Sequence, residues 1–355
     1  MTSRAKSKVA TKRPTINDIA KQVGLSKASV SRALNGKQDV DPLTRKRVLK
    51  LATQMGYVPS ASARALSNGR SSSLGLLVPT LTWPWILEVL RGVAEEIEPS
   101  GYSLVLYTTA EGEESERAFM SQVVPAGAVD GLVLVIPLGM LDYIERLAEG
   151  GLPIVVVDDR GHYPDLPTVA TTNVEGGRSA TRHLIEQGRQ KIAMLNGPHN
   201  FGCDRDRLEG YKSALKEAGL RFDPRRVIDS DFKETGGASA MTKLLAADPG
   251  LDAVFVANDM MAFGAMRALR ESGRRVPDDV AVVGFDDLPA SAFAHPPLTT
   301  VRQPLYEMGR TAAAMVMASV RGETIQKRIE LQTSLVVRAS SGGRQSSPEL
   351  TKTTQ

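Results

Sequence analysis

From Leu74 onward the chain alternates short apolar strands with helical segments, and this alternation constrains the fold more than any other feature. The first block reads LGLLVP, a helix over 86–98, YSLVLYTT, a helix over 113–124, DGLVLVIP, a helix over 141–148 and LPIVVVDD. A strand-like stretch, Pro167 to Thr172, closes it. The second block reads a helix over 174–187, KIAMLNG, a helix over 206–218, RRVIDSD, a helix over 237–246, DAVFVAND, a helix over 260–271 and DVAVVGFDD. A further helix over 303–320 and the strand-like IELQTSLVVR follow. Continuously apolar strands separated by helices form parallel sheets covered on both faces. Two such blocks predict an α/β core of two doubly wound parallel-sheet subdomains. Ligands bind such sheets beyond the carboxyl ends of the strands.

The segment before this core has a different grammar. In TINDIAKQVGLSKASVSRALN, Ile16, Ile19, Ala20 and Val23 recur at i, i+3, i+4 and i+7, one face of a helix. Thr15 is placed to cap it, Asp18 sits in its first turn, and Gly24 stands where a helix stops in the left-handed conformation. Ser26 can cap a second helix whose buried side is Val30, Ala33 and Leu34. Asp41 and Pro42 open a third, with Val48, Leu51, Ala52 and Met55 inward and Gly56 at its end. Two helices joined by a short glycine turn read as an all-α helix-turn-helix headpiece, with an ordinary helical hairpin as the competing reading. Arg45, Lys46, Arg47 and Lys50 on the third helix are placed to meet phosphates.

Charge separates the two parts. Residues 1–70 carry 15 Lys and Arg against three acidic residues, a net of +12, and the rest carries 29 against 37, a net of −8. A concentrated cation on a mildly acidic body is the electrostatic footprint of a nucleic-acid-binding module. The basic N-terminus lacks an apolar core, the longest apolar run is far short of a membrane span, and Cys203 is the single cysteine. These features point to the cytoplasm, with no membrane partner and no internal disulfide.

Between the two parts lies YVPSASARALSNGRSSS, in which Ala61 to Leu66 has helix propensity but is too short to be stable alone. A segment that folds only on binding suits this composition, and a plain linker is the competing reading.

The ordered series TINDIAKQVGLSKASVSRALN, GYVPSASARAL, GLLVP, VVVDD, GP with RLEGY downstream, VANDMMAFGAMRAL, VPDDVAVVGFDDLP and PPLTTVRQP resembles the lactose-repressor (LacI/GalR) family of bacterial transcription regulators. The resemblance covers the chain apart from its two tails. It implies a helix-turn-helix headpiece, a hinge helix, and a two-subdomain core like periplasmic sugar-binding proteins. The expected division is a disordered basic tail over 1–13, headpiece over 14–58, hinge helix and linker over 59–72, and a disordered tail over 341–355. The core N-subdomain is expected over 73–172 plus about 303–326, and the C-subdomain over 173–302 plus about 327–340.

Carried over by position, Ser26, Lys27, Ala28, Ser29 and Arg32 form the DNA-facing part of the recognition helix, with Lys27 and Ala28 at the main specificity positions. A lysine can donate to guanine O6 and N7, and an alanine can touch a thymine methyl. Thr15, Ser31 and Asn35 are expected backbone contacts. Leu66 matches the family's minor-groove wedge, with Ala63 and Arg64 as neighbours, and Ser60 replaces the usual asparagine. The resemblance places a small-molecule effector between the subdomains. Arg207 and Asp286 match the gripping positions, Asn258 and Asp158 line the cleft, Phe232 stacks on ligand, and Cys203 falls at a variable pocket position. Trp83 and Trp85, the only tryptophans, stand where relatives carry an Asn-Pro-Phe-like stretch. An indole face suits a sugar or a heterocycle. For Asp158, Asp259, Asp286 and Asp287 a purely structural role, capping loops or helices, is the competing reading.

An enzyme is the first rival function. The chain lacks a phosphate loop, a dinucleotide glycine fingerprint, a nucleophile elbow and metal-ligand spacing among His162, His183, His199, His295 and Cys203. A transport solute-binding protein fits the core but not the basic headpiece. The expectation is therefore a ligand-responsive, DNA-binding transcription regulator, a repressor and homodimer on a palindromic operator. A sugar or sugar derivative is the favoured effector and a purine the alternative, with no cofactor, no metal and no catalytic residue.

Overall fold

The computed structural model describes residues 14–37, 39–57, 70–108, 128–137, 141–158, 166–199 and 201–342. The chain divides into two compact units, Met1–Ser72 and Ser73–Gln355. The expected hinge helix with Ser60, Ala63, Arg64 and Leu66, the helix over 113–124, the N-terminal tail and residues 343–355 lie outside the described residues. Ser341, expected in the C-terminal tail, is instead buried, its Oγ 2.7 Å from Thr299 Oγ1.

The first unit contains α1 (Ile16–Val23), α2 (Lys27–Leu34) and α3 (Pro42–Gln54). Its core is Ile19, Ala20, Val23, Val30, Ala33, Val48 and Ala52, the inward stripes of the three helices. The Asp18 carboxylate accepts from Thr15 N at 2.8 Å and from the Thr15 hydroxyl at 2.7 Å, closing the first turn of α1. Gly24 adopts φ 74°, and the amides of Gly24 and Leu25 both donate to Ala20 O. Ser26 Oγ accepts from Ser29 N at 3.1 Å, and Asp41 Oδ2 accepts from Thr44 N at 2.8 Å, so α2 and α3 also begin on side-chain caps. Each cap is worth about 1 kcal/mol, a useful share of stability in so small a core.

The second unit contains two six-stranded sheets. The first half runs β1 (Ser73–Val78), α4 (Ile86–Ile97), β2 (Ser103–Thr108), β3 (Gly131–Val135), α5 (Leu141–Glu149), β4 (Ile154–Val157) and β5 (Thr168–Thr171). The second runs α6 (Asn173–Glu186), β6 (Ile192–Asn196), α7 (Gly202–Glu217), β7 (Val227–Asp229), α8 (Glu234–Ala247), β8 (Ala253–Val256), α9 (Asp259–Glu271), β9 (Ala281–Asp286) and β10 (Thr299–Arg302). The chain closes with α10 (Leu305–Val320), β11 (Arg328–Leu331) and β12 (Ser334–Val336). Strand orders are β11-β5-β4-β3-β1-β2 and β12-β10-β9-β8-β6-β7. All pairings are parallel except β12 with β10. Central strands β3, β4, β6, β8 and β9 are buried along their whole length, which explains their unbroken apolar runs. Among the described residues no helix is long and apolar enough to cross a membrane.

Three crossings join the sheets, and two differ from the sequence reading. The last helix begins at Leu305, not Gln303. Pro304 biases the preceding residue toward extended backbone, so Gln303 belongs to the crossing. The stretch IELQTSLVVR is two strands in two different sheets: β11 pairs with β5 and β12 with β10. The crossing therefore falls at Gln332–Thr333, a few residues beyond the expected boundary near 327. Thr333 N donates to Thr172 Oγ1 at 2.9 Å, tying this crossing to the first. Helix α7 starts at Gly202 rather than 206, which places Cys203 and Arg207 one turn apart on one helical face.

Candidate functional site: a cleft between two sheets and a headpiece surface

The carboxyl ends of both sheets open onto one cavity of roughly 590 Å³, within the size range of small-molecule sites. Trp83 and Trp85 follow β1, Asp158 follows β4, Phe232 follows β7, Asn258 follows β8 and Asp286 ends β9. Cys203 and Arg207 sit on α7, after β6. All eight line the cavity, together with Thr80, Phe201, Glu234, Gln303 and other residues that sequence reasoning did not single out. The first expectation for this fold, ligand contacts at strand ends, explains why residues far apart in the chain converge here.

Arg207 is the buried cation of the site. Its Nε donates to Asn173 Oδ1 at 3.0 Å, its Nη1 to Ala257 O at 2.6 Å, and its guanidinium carbon lies 3.7 Å from the centroid of the Phe285 ring. The backbone beneath it is fixed by close helix packing. A Cβ on Gly177 of α6 would stand 2.3 Å from Arg207 O, so only glycine lets α6 and α7 approach this far. The guanidinium thus keeps a set position, with bonds on one side and a ring face on another.

Three acidic groups surround it. Asp286 is 5% exposed and accepts from Gln303 Nε2 at 2.7 Å. Burial pushes its carboxyl well above the usual carboxylate range, against the pull of Arg207, and Asp259 and Asp158 push the same way. A protonated Asp286 can both donate to and accept from a hydroxyl. Asp204, one residue behind the cavity wall, is fully buried and is pushed up to about 7 by burial. Its Oδ1 accepts from Gly197 N at 3.0 Å, and its Oδ2 has no hydrogen-bond partner among the described residues. Asp158 is half-buried and its amide donates to Val169 O at 3.0 Å. Burial also raises the Cys203 thiol, which therefore stays protonated and acts as a small apolar wall.

An aromatic row forms another wall. Trp83 stacks on Trp85 with centroids 6.3 Å apart, Trp83 lies 6.2 Å from Phe201, and Phe201 meets Phe232 edge-on at 5.1 Å. Phe201 was missed in the sequence, although it lies two residues before Cys203. Ile136, Asp158, Phe232 and Asp286 all line the cavity with positive φ, at 45°, 56°, 63° and 115°. Strained non-glycine backbone clusters at ligand clamps, where surrounding structure holds it.

Several polar residues at the strand ends are committed to structure. Asn258 caps α9, with Oδ1 accepting from Met261 N at 2.9 Å, while its Nδ2 donates to Phe232 O at 3.1 Å. It positions the aromatic wall as well as lining the cavity. Asp259 is buried beneath the site and accepts from Leu288 N, the Ser291 hydroxyl and the Thr300 hydroxyl at 2.9, 2.6 and 2.6 Å. Asp287 is held by Arg302 and Arg338, each at 2.6 Å. For these two, the structural role accounts for the carboxylate contacts among the described residues. Among the described residues no cluster of three His, Cys, Asp or Glu is placed to hold a metal.

On the headpiece, Thr15, Ser26, Lys27, Ala28 and Arg32 are exposed, and Ser29, Ser31 and Asn35 are half-buried. Lys27 and Ala28 open α2 and face solvent together. The Ser26 and Ser29 hydroxyls lie 2.9 Å apart, and Asn35 Nδ2 reaches Ser31 Oγ at 3.4 Å. Arg32 pairs with Asp39 at 3.5 Å. Two of the four α3 cations expected at phosphates are spent on backbone carbonyls: Arg47 donates to Val23 O at 2.9 Å and Arg45 to Lys37 O. Lys46, Arg47 and Lys50 are exposed.

Comparison with known proteins bears on both surfaces. Residues 15–60 match the family described as bacterial regulatory proteins, lacI family, and residues 71–339 match periplasmic binding proteins and sugar binding domain of LacI family. The chain is 37% identical over 343 residues to the HTH-type transcriptional regulator CelR of Thermobifida fusca, covering 93% of this chain and 98% of that one. A solved transcriptional regulator CelR–cellobiose complex is similar with TM-score 0.72 at 35% identity, covering 92% of this chain and 100% of that one. The crystal structure of the Lac repressor dimer bound to operator and the anti-inducer ONPF is similar with TM-score 0.83 at 27% identity, covering 93% and 99%. These relatives are transcriptional regulators.

Proposed function

The chain belongs to the lacI family of bacterial regulatory proteins and is a ligand-responsive DNA-binding transcription regulator, and on that premise we propose that its cleft takes an uncharged disaccharide-class sugar. The observation that carries this reading is the pairing of an aromatic row with a hydrogen-bonding pair. Trp83, Trp85, Phe201 and Phe232 line the cavity as one continuous aromatic wall, with neighbouring ring centroids 5.1 to 6.3 Å apart. Arg207 and Asp286 supply donors and acceptors for hydroxyls. The cellobiose bound by the CelR relative makes β-linked glucose disaccharides the first ligands to try.

Trp83, Trp85, Asp158, Cys203, Arg207, Phe232, Asn258 and Asp286 form the effector site in this reading. The carboxylates there recognise sugar and do not hydrolyse it. On the DNA side, Lys27 and Ala28 read base edges in the major groove, with Ser26, Ser29 and Arg32 beside them and Thr15, Ser31 and Asn35 on the backbone. Leu66, flanked by Ala63 and Arg64, wedges the minor groove. The protein acts in the cytoplasm as a homodimeric repressor on a palindromic operator. The sugar regulates because it binds the operator-competent and operator-incompetent states with different affinity.

The test has two stages. Crosslinking in the native cells, followed by sequencing of bound fragments, identifies the operator. Calorimetry on the full-length protein then titrates cellobiose, glucose, ribose and hypoxanthine, and operator affinity is measured with each. Cellobiose binding that changes operator affinity, with no glucose released on long incubation, is the expected result. Binding of hypoxanthine alone would replace the sugar by a purine. Glucose release would make the cleft catalytic.

A further inference from the structure

Gln303 lies on the crossing between β10 and α10 and is 8% exposed. Its Oε1 accepts from the Thr171 hydroxyl at 2.9 Å, and its Nε2 donates to Asp286 Oδ1 at 2.7 Å. Thr171 is the last residue of β5, in the first sheet, and Asp286 is the last residue of β9, in the second. One amide plane therefore spans the two sheets at their junction. The other crossings are joined beside it, since Thr333 N donates to Thr172 Oγ1 at 2.9 Å. The chain of bonds runs in one direction in this structure. The Thr171 hydroxyl donates to Gln303, and Gln303 donates to Asp286, which only a side chain with one acceptor and one donor can do.

We infer that Gln303 is the positioning residue through which the effector acts on the hinge between the subdomains. A ligand hydroxyl that engages Asp286 competes for, or reorients, the carboxyl that Gln303 holds. The amide is planar, so turning its nitrogen end to follow Asp286 turns its oxygen end away from Thr171. The contact between sheets is then made in one hinge arrangement and broken in the other. This supplies the differential contact that any regulating ligand requires. It is a hydrogen-bonded element with two discrete states, the kind of unit able to carry coupling. The inference rests on the cleft being the effector site. Thr171 is separate from that site: it is buried and does not line the cavity.

The experiment uses the full-length protein, its operator and cellobiose, with Gln303→Met and Thr171→Val as variants. Both substitutions nearly conserve volume. The quantity read is the ratio of operator Kd with and without saturating cellobiose. Thr171→Val should hold operator without sugar to within about threefold of wild type, while in both variants the ratio falls by about tenfold toward one, within the usual range of allosteric factors. A wild-type ratio in Thr171→Val would overturn the inference, whether or not Gln303→Met binds sugar more weakly, because Gln303 would then be a ligand contact alone. Lower thermal stability with an unchanged ratio in both variants would overturn it as well.

Hydrogen–deuterium exchange on the free protein gives a readout that needs no sugar. Gln303→Met should speed exchange at 171–173 and 331–333 while the central strands keep their protection. Unchanged exchange at those crossings would overturn the inference. Indifference of wild-type operator binding to cellobiose would refute the sugar reading, and the relay would then stand or fall on the exchange result.

Discussion

Arg207 Nε donates to Asn173 Oδ1 at 3.0 Å, which anchors the cleft's guanidinium to the first residue of α6, one step beyond the chain's first crossing between the sheets. The bond is buried at both ends: Arg207 is 3% and Asn173 5% exposed. Asn173→Ala should therefore cost roughly 1–3 kcal/mol of stability, because a charged donor loses its partner in the interior. It should also weaken sugar binding, since the guanidinium is free to turn. Thermal unfolding and calorimetry on one variant measure both. Undiminished affinity would mean that Ala257 O and the Phe285 ring hold Arg207 without help.

Asp286→Ala should abolish the effector response and leave operator binding. Removal of a buried partner to ligand hydroxyls costs about 3 kcal/mol, or roughly 100-fold in Kd. A variant that still releases operator on sugar addition would place the ligand elsewhere in the cleft.

The two tryptophans are the only ones in the chain, and both line the cavity. Tryptophan fluorescence, excited selectively over the tyrosines, therefore reports on the cleft. Sugar binding should shift the emission, and comparison of Trp83→Phe with Trp85→Phe assigns the shift. Trp83, which touches both Trp85 and Phe201, should carry most of it. No change of emission at saturating sugar would remove the indoles from the site.

The core should be more stable in mild acid than in mild base. Asp204 has a folded pKa of about 7, above its ordinary 3.8, and Asp286 is shifted in the same direction; burial is the main cause for both. The folded state then holds protons that the unfolded chain releases. The contribution of these two groups is fully present below about 4 and is lost as pH rises through their folded values. Unfolding at pH 5.5 and 8.5 should show Tm falling by several degrees, at about 2–4 °C per kcal/mol for a domain of this size. Asp204→Asn should flatten the slope, whereas an unchanged slope would assign it to other groups.

On the headpiece, Lys46→Ala should weaken binding to all DNA sequences and reduce the slope of log K against log salt by about one. Lys27→Ala should instead relax preference at one base pair, by about 1–3 kcal/mol. Arg47→Ala should behave like neither. Its guanidinium bonds Val23 O, so the loss is one of headpiece stability, visible in the melting of the free protein.

The sequence by itself determined the class of each part. Periodicity is a local property, and it located the helices and strands; the caps Thr15, Ser26 and Asp41 and the stop at Gly24 marked where the headpiece helices begin and end. Runs of apolar residues identified buried parallel strands, and a parallel doubly wound sheet puts its ligand site at the strand ends wherever those strands fall. Motif resemblance then named the eight cleft residues, all of which the fold brings to one cavity. Tertiary structure decided how each polar side chain is spent. Asp259 and Asp287 hold loops, Arg47 holds the Val23 carbonyl and Asn258 the Phe232 carbonyl, because their partners lie on segments distant in the chain. The crossings were likewise illegible. IELQTSLVVR has one continuous pattern, and only pairing with β5 and β10 divides it between two sheets. Gln303 read as the start of a helix, yet Pro304 leaves it on the crossing, where two strand ends from opposite sheets come within reach of one amide. Hydrogen-bond partnership depends on distances across the fold, and no local pattern encodes those.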